Sequence, residues 1–147
     1  MAYKYAYQGS EEAVAKAVIT NVQVSTKSAA MIAQFLRGKN VKRAERDLKE
    51  VLTHKQAVPF TRYSEGAGHK TKIGPGKFPE KGAKNFLVLL NSVVKNAEDL
   101  GLGEDLVIVG CTAQQASKGY SHGRWRGRKT KATHIEMVVA EQGGDEE

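Results

Sequence analysis

The spacing of apolar residues changes several times along the chain, and each change marks an element. From Ala17 to Val24 apolar and polar positions alternate, with Val18, Thr20, Val22 and Val24 on one face, which predicts a strand. The spacing then lengthens. Ala29, Ile32, Ala33 and Leu36, with Phe35 beside them, form a helical stripe over Lys27–Arg37; Ser25 or Thr26 is placed to cap its start and Gly38 to end it. Asn40 caps a second predicted helix, Val41 to about His54, with Val41, Ala44, Leu48, Val51 and Leu52 inward and the four-apart pairs Glu45–Lys49 and Arg46–Glu50 outward. Pro79 suits the first turn of a third and longest helix, Glu80–Leu100, which Gly101 ends. Its apolar face is Ala83, Phe86, Leu87, Leu90, Val94 and Ala97, broadened by Val93.

Two further stretches are rich in β-branched and aliphatic residues, Leu106–Ala113 and Thr133–Ala140. Between them Gln114–Ala132 has almost nothing to bury, so the pair reads as a long hairpin whose base joins a sheet. About ten residues per arm at ~3.4 Å each would reach roughly 35 Å beyond the core. Helices and strands that do not alternate argue for α+β: three helices packed on a small antiparallel or mixed three-stranded sheet, with a long protruding basic β-hairpin. One domain is expected over residues 1–147, with a body at about 17–112 and 133–141, the hairpin at about 113–132, and short tails at 1–16 and 142–147. The first tail carries Tyr3, Tyr5 and Tyr7, placed either to stack on bases or to pack on the body. The stretch from Gln56 to Lys77, with Pro59, Pro75 and four glycines, reads as a long irregular loop.

Charge narrows the function. The formal net charge is +7 over 147 residues, which points to nucleic acid or an anionic membrane surface. No apolar run approaches the length needed to cross a bilayer, and Met1–Lys4 opens no hydrophobic signal region, so an intracellular protein is expected. Cys111 is the single cysteine and reads as a small buried hydrophobe. His54, His69, His122 and His134 show no metal-ligand spacing. Gly74-Pro75-Gly76-Lys77 lacks the spacing of a nucleotide-binding loop. No cofactor, metal or small-molecule substrate is implied.

From Leu106 to Ile135 there is no Asp or Glu, but there are six cations: Lys118, Arg124, Arg126, Arg128, Lys129 and Lys131. A merely soluble surface mixes signs. A polar two-stranded ribbon is marginal alone, so a polyanionic partner is expected. Tyr120, His122 and Trp125 lie among these cations and suit exposed bases, although Trp125 packing on the hairpin arm fits equally. Arg62, Tyr63, His69, Lys70, Lys72 and Lys77 in the long loop, and Lys27, Arg37 and Lys39 around the first helix, complete the candidate RNA-binding set. Lys42 and Arg43 crowd the same helix junction. An enzyme acting on RNA would have to draw on His69, His122 or His134, the last with Glu136 two residues away; no nucleophile or metal set accompanies them.

Three pieces carry a resemblance: Ser25–Lys39, ending Leu36-Arg37-Gly38-Lys39, with Ala44 and Leu48 after it; Val58-Pro59-Phe60-Thr61-Arg62-Tyr63 with Gly66–Lys70 and Gly76–Pro79; and Thr133–Val139. In that order they resemble the L-twenty-two family of large-subunit ribosomal proteins, called L-seventeen in eukaryotic cytosolic ribosomes, over about Ala17–Glu141. The middle piece is similar to a segment of archaeal and eukaryotic members that bacterial ones lack. The resemblance implies a non-enzymatic, cytoplasmic constituent of the large subunit that binds large-subunit ribosomal RNA. It further implies a body near the peptide exit, a hairpin lining the nascent-chain tunnel, and support of subunit assembly. Neighbouring ribosomal proteins and the nascent peptide are implied partners, and no membrane is. The family's Arg-Ala-x-Gly-Arg element is replaced by Arg124-Trp125-Arg126-Gly127-Arg128, and the return arm to Thr133 is shorter than usual. An RNA-binding regulator or chaperone outside the ribosome is the alternative reading.

Overall fold

The computed structural model describes residues 3–9 and 13–141. Strand β1 (Val14–Val22) leads into helices α1 (Thr26–Leu36) and α2 (Val41–Leu52). Three short strands follow, β2 (Val58–Pro59), β3 (His69–Lys70) and β4 (Gly74–Lys77), then helix α3 (Glu80–Asp99), and strands β5 (Leu106–Gln115) and β6 (Thr133–Glu141). The main sheet has the order β1-β6-β5, antiparallel throughout. This is the expected α+β fold.

β6 is central because its sequence can be buried on both faces: Ile135 to Val139 are all buried. Ile135, Met137 and Val139 face the core shared with the helices, whereas Glu136 and Val138 face the other way. That second face lies under the start of the chain. The Ala6 N–H donates to Glu136 Oε1, 3.1 Å, as does the Thr112 hydroxyl. The Tyr7 ring lies over Gly110, where a β-carbon would sit only 3.3 Å from it. Tyr7 therefore packs on the body.

β1 departs from the alternation. Its buried residues are Val14, Ala15 and Ala17, then Val22; Val18 is half-buried and Thr20 exposed. The register shifts between Ile19 and Val22, and Asn21 has φ +56°. This bulge swaps the inward face, so the small alanines pack before it and the valines, Val22 and Val24, after it.

α1 covers β5, α3 covers β1 and β6, and α2 packs on α3. Helix limits agree with the sequence within two residues, and the stripes are rotated slightly. Leu89 joins Phe86, Leu90 and Val93 as fully buried on α3, while Leu87 and Val94 sit at its margin. Asn40 caps α2, its side chain accepting from Lys42 N at 2.9 Å, but the Ser25 side chain at the start of α1 makes no capping bond. The edge of β5 is closed by the α1–α2 connection. Gly38 N donates to Ile108 O and Ile108 N to Lys39 O, at 2.8 and 2.9 Å.

The stretch expected to be an irregular loop is instead a second small sheet, β2-β4-β3. Val58 and Phe60 are buried in the main core, and β2 packs on α1. Strands of two residues have no readable alternation, which is why proline and glycine dominated the sequence pattern. Space is tight at Gly76: a β-carbon would come within 3.2 Å of Ala57, Ile73 and Lys70 side chains at once, so those side chains would have to shift.

Candidate nucleic-acid interface

Beyond Gln115 and Thr133 the β5–β6 pairing continues as a looser ribbon. Ala116 N donates to Ala132 O at 3.0 Å, Thr130 N to Gly119 O at 2.9 Å, and Ser121 N to Arg128 O at 2.8 Å. Tyr120 bridges Lys129. A one-turn 3-10 helix, Gly123–Trp125, closes the end, with Arg128 N donating to Trp125 O. Between Ser117 and Lys131 every residue but the half-buried Ser121 is exposed.

Among the described residues the cations here have no acidic partner: none of the six is within ion-pair distance of a carboxylate. Three of them lie over rings instead. The Trp125 ring carries the Arg128 guanidinium 4.4 Å from its centre and Arg124 at 5.9 Å, and Lys129 lies 5.3 Å over Tyr120. Trp125 is 58% exposed, so much of the side chain stays open despite these cations. Lys118, His122 and Arg126 are exposed beside them, and Lys131 borders a groove with Ser25, Ser28 and Lys81 at the starts of α1 and α3.

The body residues divide. Arg37 and Arg62 border one groove between α1 and the Cys111–Ala113 stretch of β5, at the foot of the ribbon. Arg37 is fixed there by donating from Nη2 to Cys111 O at 2.8 Å. Lys27 lies 5.3 Å over the exposed Tyr63 ring, bringing α1 and the 61–68 loop together. His69 and Lys72 are exposed on the small sheet, Lys70 lies over Phe78, and Lys77 lies over Phe60 while donating to Glu65 O. Lys39 is engaged inside the fold: its Nζ is 2.7 Å from the buried Asp47 carboxylate and 3.2 Å from the centre of the Phe35 ring. Lys81 and Lys55, which border grooves with Lys131 and Lys70 respectively, escaped the sequence reading because they look like any exposed lysine near a helix end.

Of the residues considered for catalysis, His69 and His122 are exposed, whereas His134 and Glu136 serve the fold. His134 Nδ1 accepts from Asn21 N at 3.2 Å, at the β1 bulge. Glu136 is 3% exposed, with Oε1 doubly hydrogen-bonded and Oε2 buried without a partner among the described residues. Burial first, and then the nearby Glu136 carboxylate, raise the Tyr3 and Tyr5 hydroxyls above the ordinary tyrosine range. Among the described residues no group of three or more His, Cys, Asp or Glu converges to hold a metal ion, and no helix is long and apolar enough to cross a membrane.

Residues 17–140, spanning β1 to β6, match the family described as Ribosomal protein L22p/L17e. The chain belongs to this family. Among its relatives, the large ribosomal subunit protein uL22 of Nanoarchaeum equitans is 40% identical over 144 residues, covering 92% of this chain and 83% of that protein. The uL22 proteins of Thermofilum pendens and Haloarcula marismortui are 34% and 32% identical, each covering at least 95% of this chain and 97% of their own length. The L22p/L17e family is one of ribosomal proteins, structural components rather than enzymes.

Proposed function

We propose that the protein is a structural constituent of the large ribosomal subunit, in the cytoplasm, and binds large-subunit ribosomal RNA. The observation that carries the RNA reading is the ribbon at 116–132: six cations without a carboxylate partner among the described residues, spaced by exposed aromatic rings. Phosphates neutralise such cations, and unpaired bases stack on Trp125 and Tyr120. The Arg37–Arg62 groove and the Lys27–Tyr63 pair extend the surface onto the body. Lys70, Lys72, Lys77 and His69 add a second patch on the small sheet. Lys39 contributes through its bond to Asp47, by holding the start of α2. Placement of the body near the peptide exit, with the ribbon along the nascent-chain tunnel, belongs to the same proposal and follows the family resemblance.

Sedimentation tests it. A tagged full-length chain should travel with large subunits through a high-salt sucrose gradient, and a variant lacking Lys118–Lys131 should wash off more readily. A full-length chain that stays at the top of the gradient overturns the ribosomal reading and favours a smaller RNA partner.

A further inference from the structure

The end of the molecule away from the basic ribbon has the opposite character. Leu106 pairs with Glu141 at one end of the β5–β6 ladder, and the ribbon leaves from Gln115 and Thr133 at the other. Nine steps of strand at ~3.4 Å separate the two ends by roughly 30 Å. At the Leu106 end, α2, α3 and the turn after α3 enclose a groove of about 300 Å³. Its floor is apolar: Val41, Leu90, Val94, Leu102 and Leu106. Its rim carries Glu45, Glu98 and Glu104. Asp99 and Asp105 are exposed beside it, and Glu141 reaches back to Gly103 on the rim, where a β-carbon would lie 2.6 Å from its carboxylate. Lys42, which lines the groove, is paired with Glu104 at 3.2 Å, and Lys49, a turn along α2, is paired with Glu45 at 2.6 Å; Lys95 is exposed beside Val94. The charge left over is negative, on a chain whose net charge is +7.

A polyanion is repelled from such a rim, so this groove is not part of the RNA surface. Its floor calls for apolar side chains, and its rim for cations. We propose that it docks a cationic, amphipathic segment of a neighbouring protein, with two or three apolar side chains on the floor and Lys or Arg against Glu98 and, shared with Lys42, Glu104. The chain's own residues beyond Glu141 bring Asp145, Glu146 and Glu147, the same sign as the rim. A second copy's densest cations lie on a ribbon with almost nothing apolar to place on the floor.

The test uses assembled large subunits, and so rests on the proposed function; a second position reports on that separately. A photoreactive benzoylphenylalanine replaces Asn91, an exposed residue on the groove wall, or Trp125 on the ribbon, and adducts are identified by peptide mass spectrometry. The expected result is an RNA adduct from position 125 and, from position 91, a protein adduct to a segment of net positive charge with apolar residues. Combining Glu98→Lys with Glu104→Lys should lower the position-91 yield at least fivefold and leave the position-125 adduct unchanged. With the position-125 RNA adduct present, a position-91 adduct to RNA, to residues 142–147, to a second copy or to an acidic segment overturns the proposal. So does no position-91 adduct, or a yield indifferent to the charge reversal.

Discussion

At Cys111, on β5, burial pushes the thiol pKa up to about 12, opposed by the Arg37 guanidinium and reinforced by Glu136. Below about pH 9 the thiol is protonated in both folded and unfolded chains. Between about 9 and 12 only the unfolded chain ionises, so folding stability falls as pH rises through that window, by up to ~1.4 kcal/mol per pH unit for this one group. Tyr3 and Tyr5, also raised, add the same sign above pH 10. Denaturant titrations from pH 8 to 11 should therefore show a shallower decline in Cys111→Ala than in the native chain; equal slopes would count against a buried, protonated thiol. Lys39 offers a second test at this scale. Lys39→Ala leaves the Asp47 carboxylate buried and unpaired, and is expected to cost about 3 kcal/mol of stability, read as a lower denaturation midpoint. The affinity of the folded variant for RNA should stay unchanged, because the lost cation faces the core.

At the scale of elements, the outer ribbon and α3 are opposites. The ribbon between Ala116 and Ala132 is held by a few backbone hydrogen bonds with no apolar cluster beneath it, whereas Phe86, Leu89, Leu90 and Val93 are fully buried. Amide exchange in the free protein should be much faster over 116–132 than over 86–94 and should slow when RNA binds. Equal protection in the free chain would contradict this. The three helices were legible because each carries a long stripe at one period, bounded by Asn40, Gly38 or Gly101. β1 was misread at its start because Val18 and Thr20 look more strand-like than Ala15 and Ala17, and a bulge at Asn21 leaves no mark in composition. The small sheet was illegible because its order comes from Phe60 and Val58 reaching the main core, a tertiary cause. For the candidate site, charge and aromatic content revealed the ribbon directly. Sequence could not separate Lys39, which serves the core, from Arg37, fixed two residues away on the edge of β5, since both sit in one short basic run.

For the whole molecule, charge is segregated along the sheet, basic at the ribbon and acidic at the Leu106 end. If all six ribbon cations meet phosphates of non-duplex RNA, the log–log salt dependence of binding should have a slope of about −4. Removing Lys118–Lys131 should flatten it by most of that amount; an unchanged slope would move the contact to the body. The position of β6 has a further consequence, in time rather than space. β1 pairs with β6 from Val14↔Ala140 to Val22↔Thr133, and β5 pairs with β6 as well, so neither outer strand has its neighbour until β6 is synthesised. Helices α1 to α3 can form as they emerge, but the sheet they cover waits for the last element in the order. Such long-range pairing is slow to form. A newly made chain therefore exposes the apolar faces of its helices until β6 arrives. The same event closes the sheet and brings the two arms of the basic ribbon together, so the chain gains its core and the shape of its basic ribbon in one step.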